Sequence, residues 1–108
     1  MAKFAVFFRF TGAAVKGLVD QPSDRAAVVS GLCESAGGRM DAYYIMFGDW
    51  DGFVIADLPD SHAAAALSLA VSATGAFAQL STHELLDATQ LTGALSTAAT
   101  LRYTPPGS

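Results

Sequence analysis

Three segments of this chain alternate with a period of two, yet each carries large apolar side chains on both sides of the alternation. In residues 3–10, Phe4, Val6, Phe8 and Phe10 point one way while Ala5, Phe7 and Arg9 point the other. In residues 39–47, Tyr43, Ile45 and Phe47 oppose Tyr44 and Met46. In residues 53–58, Phe53 and Ile55 oppose Val54, Ala56 and Leu58. The period predicts three strands. A sheet built from them must be covered on both faces, because a bare face of large side chains is an exposed apolar patch.

The punctuation between these strands predicts the rest. Thr11-Gly12 ends the first strand, and residues 13–20 are expected to form a turn or short helix. Pro22-Ser23-Asp24 starts a helix, with Ser23 or Asp24 capping its first turn. Its stripe is Val28, Val29, Leu32, Cys33 and Ala36, and Gly37-Gly38 stops it. Gly48-Asp49-Trp50-Asp51-Gly52 is a turn that folds strands two and three into an antiparallel hairpin. Pro59-Asp60-Ser61 starts a second helix running to about Thr74. Residues 77–86 form a fourth strand, and a short further helix is expected over Ala88–Ala98. The order β-α-β-β-α-β predicts an α+β, ferredoxin-like fold: a four-stranded antiparallel sheet with helices on one face. Helices on one face leave the other open, so a homodimer packing sheet on sheet, with a cleft between the copies, is expected.

Composition narrows the class. A chain of 108 residues is one domain. Hydrophobic residues at 52% exclude intrinsic disorder. A net charge of −4 argues against nucleic acid, whose binding rests on Lys and Arg. The single cysteine excludes an internal disulfide framework and is compatible with a reducing cytoplasm, the expected compartment. The longest stretch without Asp, Glu, Lys or Arg, Ser61 to His83, is built of Ala, Ser and Thr rather than the Leu, Ile, Phe and Val of a spanning helix, so no membrane partner is expected.

Residues 42–60 carry a resemblance. Gly48, Asp51, Gly52, Pro59 and Asp60 match the pattern of the GYD-domain family, whose hallmark Gly-x-Tyr-Asp precedes an apolar strand ending in a Pro-Asp helix start. Tyr44 sits where such proteins often have a tyrosine, and the resemblance spans roughly Lys3 to Thr89. Trp50 stands where the namesake has Tyr, which keeps an aromatic and loses a phenol. The resemblance implies a small protein of the dimeric α/β-barrel group occupying residues 1–100, with residues 101–108 as a flexible tail. It implies a fold and a dimer rather than one activity.

The candidate chemistry is sparse. Asp49 and Asp51 can be a carboxylate pair beside an aromatic, or turn residues bonding their own backbone; the second is the commoner use. No calcium-loop spacing or His/Cys cluster accompanies them, so no metal or cofactor is expected. His83 shares a strand face with Gln79 and Ser81, and that polar row can line the cleft with an acid or base in it. The plain alternative is a histidine near a sheet edge. Arg9 lies mid-strand among phenylalanines, so it needs a partner: Asp57, Glu84, an acid of a second copy, or a ligand anion. Cys33, on an apolar stripe, is expected to act as a small hydrophobe.

The functional expectation is a homo-oligomer binding an apolar or acidic small molecule in an inter-subunit cleft through Arg9, Tyr44, Trp50, Asp51, Gln79 and His83. Two rivals stay open. One is a cofactor-independent oxygenase or isomerase using His83, Tyr44 or Asp51. The other is a purely structural oligomer.

Overall fold

The computed structural model describes residues 1–107; Ser108, the end of the expected tail, lies outside the described residues. The first strand, β1 (Ala2–Phe10), is followed by α1 (Gly12–Asp20) and α2 (Arg25–Ser35). The hairpin β2 (Arg39–Ile45) and β3 (Gly52–Leu58) comes next, then α3 (Ser61–Ser72), β4 (Phe77–Leu85) and α4 (Ala88–Ala98). One antiparallel sheet has the order β2-β3-β1-β4. This is the α+β, ferredoxin-like arrangement the order predicts, with two helices beyond the minimal pair.

The ambiguous segment after β1 is a helix. Thr11 caps α1 by accepting from the Ala14 N–H at 3.2 Å, and Asp24 caps α2 by accepting from Ala27 at 3.1 Å. Asp60 caps α3 in the same way at 2.9 Å. The stretch Ser61–His83 is thus split between α3 and β4. No helix among the described residues is long and apolar enough to cross a membrane.

One face of the sheet holds the core. Phe4, Phe8, Val54, Ala56 and Leu58 bury against Cys33 of α2 and Ala64 of α3. Burial pushes the Cys33 thiol up from its ordinary pKa, as expected of a small hydrophobe rather than a nucleophile. Phe8 stacks on Tyr43 and meets Phe10 and Phe77 edge-on, which closes one end of the core.

The other face has no helix on it. Strand pairing sorts it into rows: Tyr44, Phe53, Phe7 and Ser81; then Ala42, Ile55, Ala5 and His83; then Arg39, Asp57, Lys3 and Leu85. The alternation of β2 is not unbroken. The register shifts between Met40 and Ala42, and the extra residue is Asp41. Such a bulge re-aims a side chain, and here the Asp41 carboxylate joins Lys3 and Arg39.

α4 stands apart. All 11 of its residues are exposed. The radius of gyration is 17.4 Å, against about 13 Å for a compact 100-residue domain. The excess is this projecting helix and the segment after it.

Candidate functional site

The open sheet face is the candidate site. Its centre is Phe7, with ring centroids 5.6 Å from Phe53 and 5.9 Å from Trp50. Tyr44 extends the belt, 5.6 Å from Phe53. His83 meets the Phe7 ring edge-on at 6.0 Å. Beside this aromatic surface runs the polar row of β4. Gln79 pairs across from Arg9, and Ser81 Oγ and His83 Nε2 are hydrogen-bonded at 2.7 Å. The pair is within reach for a proton to pass between hydroxyl and imidazole. Of the expected site residues, Arg9, Tyr44, Trp50, Gln79 and His83 are therefore gathered at one face.

Asp51 is not part of that surface chemistry. Its carboxylate accepts the Phe10 backbone N–H at 2.8 Å, and its own N–H donates to the Phe8 carbonyl at 2.9 Å. Its carbonyl in turn accepts from Met46. One residue thus ties the β2–β3 turn to the end of β1, where pairing with β3 ends at Phe8 opposite Gly52. Asp49 is exposed, and the Asp51 carboxylate reaches across to β1 rather than bonding the turn's own backbone. Gly48 adopts φ +136, a conformation glycine tolerates and side chains resist. Hydrogen bonds to a charged acceptor contribute about 1.5–3 kcal/mol, so Asp51→Ala is expected to destabilise the fold by about 2 kcal/mol. An unchanged urea midpoint would show that the tie is dispensable.

Arg9 is exposed on the open face and has no ion-pair or hydrogen-bond partner among the described residues. The expected pairings with Asp57 or Glu84 do not form. Asp57 is taken by Lys3 at 3.0 Å and by Arg39 at 3.2 Å, at the opposite end of the sheet. Antiparallel register explains this, since it sets Lys3 directly across from Asp57. That cluster was legible as opposite charges at the start of one strand and the end of its neighbour.

The cluster sets a pH dependence. The Lys3 hydrogen bond holds the Asp57 carboxyl below its usual range, and bonds to Asp41 and Asp57 hold the Lys3 ammonium above its own. The Asp57 contribution is present above its unfolded pKa of about 3.9 and is lost as pH falls through the lower folded value. The Lys3 contribution is present below about 10.4 and is lost as pH rises through the higher folded value. Both groups are exposed, so the effect is small. Lys3→Met is expected to flatten both limbs of a plot of urea midpoint against pH; two unaltered limbs would assign them to other groups.

A second concavity of about 450 Å³ lies beside the far end of the hairpin, walled by Phe10, Leu18, Tyr43 and Ile45, with Arg25 at its rim. Arg25 was not singled out in the sequence, where nothing distinguishes it from any residue of a first helical turn.

The GYD domain profile matches residues 4–95, most of the chain. The chain belongs to the GYD domain family. No curated protein matches it. Within the GYD domain the hallmark turn now has a physical account: Gly48 permits the bend, Trp50 packs on Phe7, Asp51 caps the broken end of β1, and Gly52 lets the Phe8 ring lie against the backbone. Replacing the hallmark tyrosine by Trp50 retains the packing element of that set.

Proposed function

We propose that this GYD domain is a homodimer whose open sheet faces meet and enclose a cleft for a small molecule with an apolar body and an acidic group. The observation that carries it is the belt of Phe7, Trp50, Phe53 and Tyr44 on the sheet face that also carries Arg9, which no carboxylate among the described residues meets. Tyr44 is 61% exposed in the single chain, costly unless something covers it. An arginine beside aromatic walls suits a carboxylate carried on an apolar frame.

The layout of the face also favours one symmetry. The ionic cluster of Lys3, Arg39, Asp41 and Asp57 occupies one end and the aromatic belt the other. A two-fold axis parallel to the strands lays aromatic on aromatic and ionic on ionic. An axis across the strands presses the aromatic end on the charges, which leaves them desolvated. The first arrangement sets the β4 edge of one copy over the β2 edge of the other.

Trp50 is the only tryptophan of the chain and reports on the belt directly. Aromatic and fatty carboxylates are expected to change its fluorescence, and Arg9→Met to abolish that response while leaving the melting temperature of the free protein within a few degrees. A panel that leaves the fluorescence flat would overturn the ligand. A large loss of stability in Arg9→Met would mean that Arg9 meets a carboxylate of the protein instead.

The Ser81–His83 hydrogen bond favours a second reading, proton-transfer catalysis of the isomerase kind without a cofactor. His83→Ala separates the two. A binding protein shows no exchange of ligand hydrogen with deuterated water in either form, whereas an isomerase shows it in the wild type and loses it in the variant.

A further inference from the structure

The helix α4 presents a physical difficulty in a single chain. It has 11 residues, among them Gly93 and three threonines, and all 11 are exposed. Isolated helices shorter than about 12–15 residues are marginal in water even when rich in alanine. Its start is nevertheless well formed: Asp87 and Gln90 make a reciprocal capping box, at 2.7 and 2.8 Å. A capping box contributes only about 1 kcal/mol and does not hold a helix of this composition alone. Something must pack on it.

The surface to be packed is visible. Leu91 and Leu95 are one turn apart, 51% and 61% exposed, with Ala88 and Ala98 completing the stripe at helical spacing. Leu86 before the helix and Leu101 and Tyr103 after it are also exposed. Thr89, Gln90, Ser96 and Thr97 fall off this stripe. Thus α4 is amphipathic and its apolar side has no cover within the chain.

We infer that α4 is an arm that docks its Leu91–Leu95 face on a second copy of this chain. The inference rests on the dimer proposed above, and three features favour that occupant. First, α4 leaves the sheet at the rim of the open face: Leu85, on the open-face row, pairs across from Lys3, and only Leu86 and Asp87 separate it from the helix. Second, the two-fold axis along the strands sets that end of β4 above the Arg39 end of the other copy's β2, so the arm starts from an edge that its partner covers. Third, the face alone is small. At about 4.8 Å between strands and about 3.4 Å per residue, four strands of this length project on the order of 500 Å² per copy. Permanent dimers commonly bury 2,000 Å² or more in total. Two arms, each laying down a helix face and its flanking leucines, extend the contact towards that range.

Hydrogen exchange and light scattering on the full chain test the arm separately from the sheet contact. With the chain dimeric, the amides of residues 91–98 are expected to exchange at least ~10-fold slower than free peptide. The double variant Leu91→Glu, Leu95→Glu should remove that protection and weaken dimerisation on the order of 100-fold. Because both leucines are exposed in the single chain, the variant has no reason to unfold, and an unchanged far-UV spectrum over the sheet confirms it. A dimer in which residues 91–98 exchange as free peptide overturns the arm and leaves the sheet contact standing. A monomer at the same concentration overturns both, whatever the exchange of α4. Retained protection and unchanged affinity in the double variant would show that the helix docks by another face, and would also overturn the assignment.

Discussion

Gly38→Ala is expected to lower the melting temperature by about 15 °C or to prevent folding. A Cβ at position 38 would overlap the Asp57 backbone carbonyl oxygen and stand 2.9 Å from Leu58 Cδ2. Leu58 is among the most deeply buried side chains, and the Asp57 carbonyl belongs to β3, so neither can yield without moving a central strand. Gly38 is also fixed from its other side, because its N–H donates to the Cys33 carbonyl at 2.9 Å as α2 ends. The chain has to pass between these two restraints to enter β2. Overpacking of this kind costs roughly 3 kcal/mol or more, and each kcal/mol shifts a domain of this size by about 4–8 °C. Gly31→Ala is the control. It lies exposed within α2 with open space around its Cα, and alanine there should stabilise by about 0.5–1 kcal/mol through helix propensity. A Gly38→Ala chain that melts with the wild type would show that the α2–β3 approach has room for a methyl group.

The strands were legible because period two survives in a single sequence, and Gly37-Gly38, Gly48, Pro59-Asp60 and Gly75 stood between elements. The open face was legible for the same reason: Phe7 and Tyr44 had nowhere else to point. Other features depend on pairing partners that a local pattern does not contain. Residues 39–47 look like an uninterrupted alternation, and only the register against β3 shows that Asp41 is the extra residue. Arg9 was expected to need a partner, with acids of its own chain, an acid of a second copy and a ligand anion all open. Among the described residues it meets no acid, and Asp57 lies at the other end of the sheet, where Lys3 and Arg39 reach it. Asp51 was open to acid–base work as well as to the commoner use in a turn. The deciding fact is the N–H of Phe10, which faces β3 beyond the last pair of that ladder, Phe8 with Gly52, and is met by Asp51. For α4 the sequence revealed the helix but neither its apolar stripe nor the missing neighbour.

The largest change in assembly is expected from Phe7→Glu, which should turn the proposed dimer into a folded monomer. Phe7 lies at the centre of the open face, in contact with Trp50, Phe53 and His83, and is only partly buried in the single chain. A carboxylate there stays in water as long as the face is open, so folding tolerates it. Closing two such faces on each other removes two carboxylates from water, a cost that the neighbouring Arg9 of each copy offsets only in part, and forfeits about 2 kcal/mol of phenylalanine burial on each side. Losses of this size on each copy weaken association by at least ~1,000-fold, since every 1.4 kcal/mol is a factor of ten. Light scattering at micromolar concentration should therefore give the dimer mass for the wild type and the monomer mass for the variant, with matching far-UV spectra. Thr89→Glu, on the polar side of α4 and away from the sheet, should leave the mass unchanged. A Phe7→Glu chain that stays dimeric at the same concentration would place the interface elsewhere, and with it the cleft and its ligand.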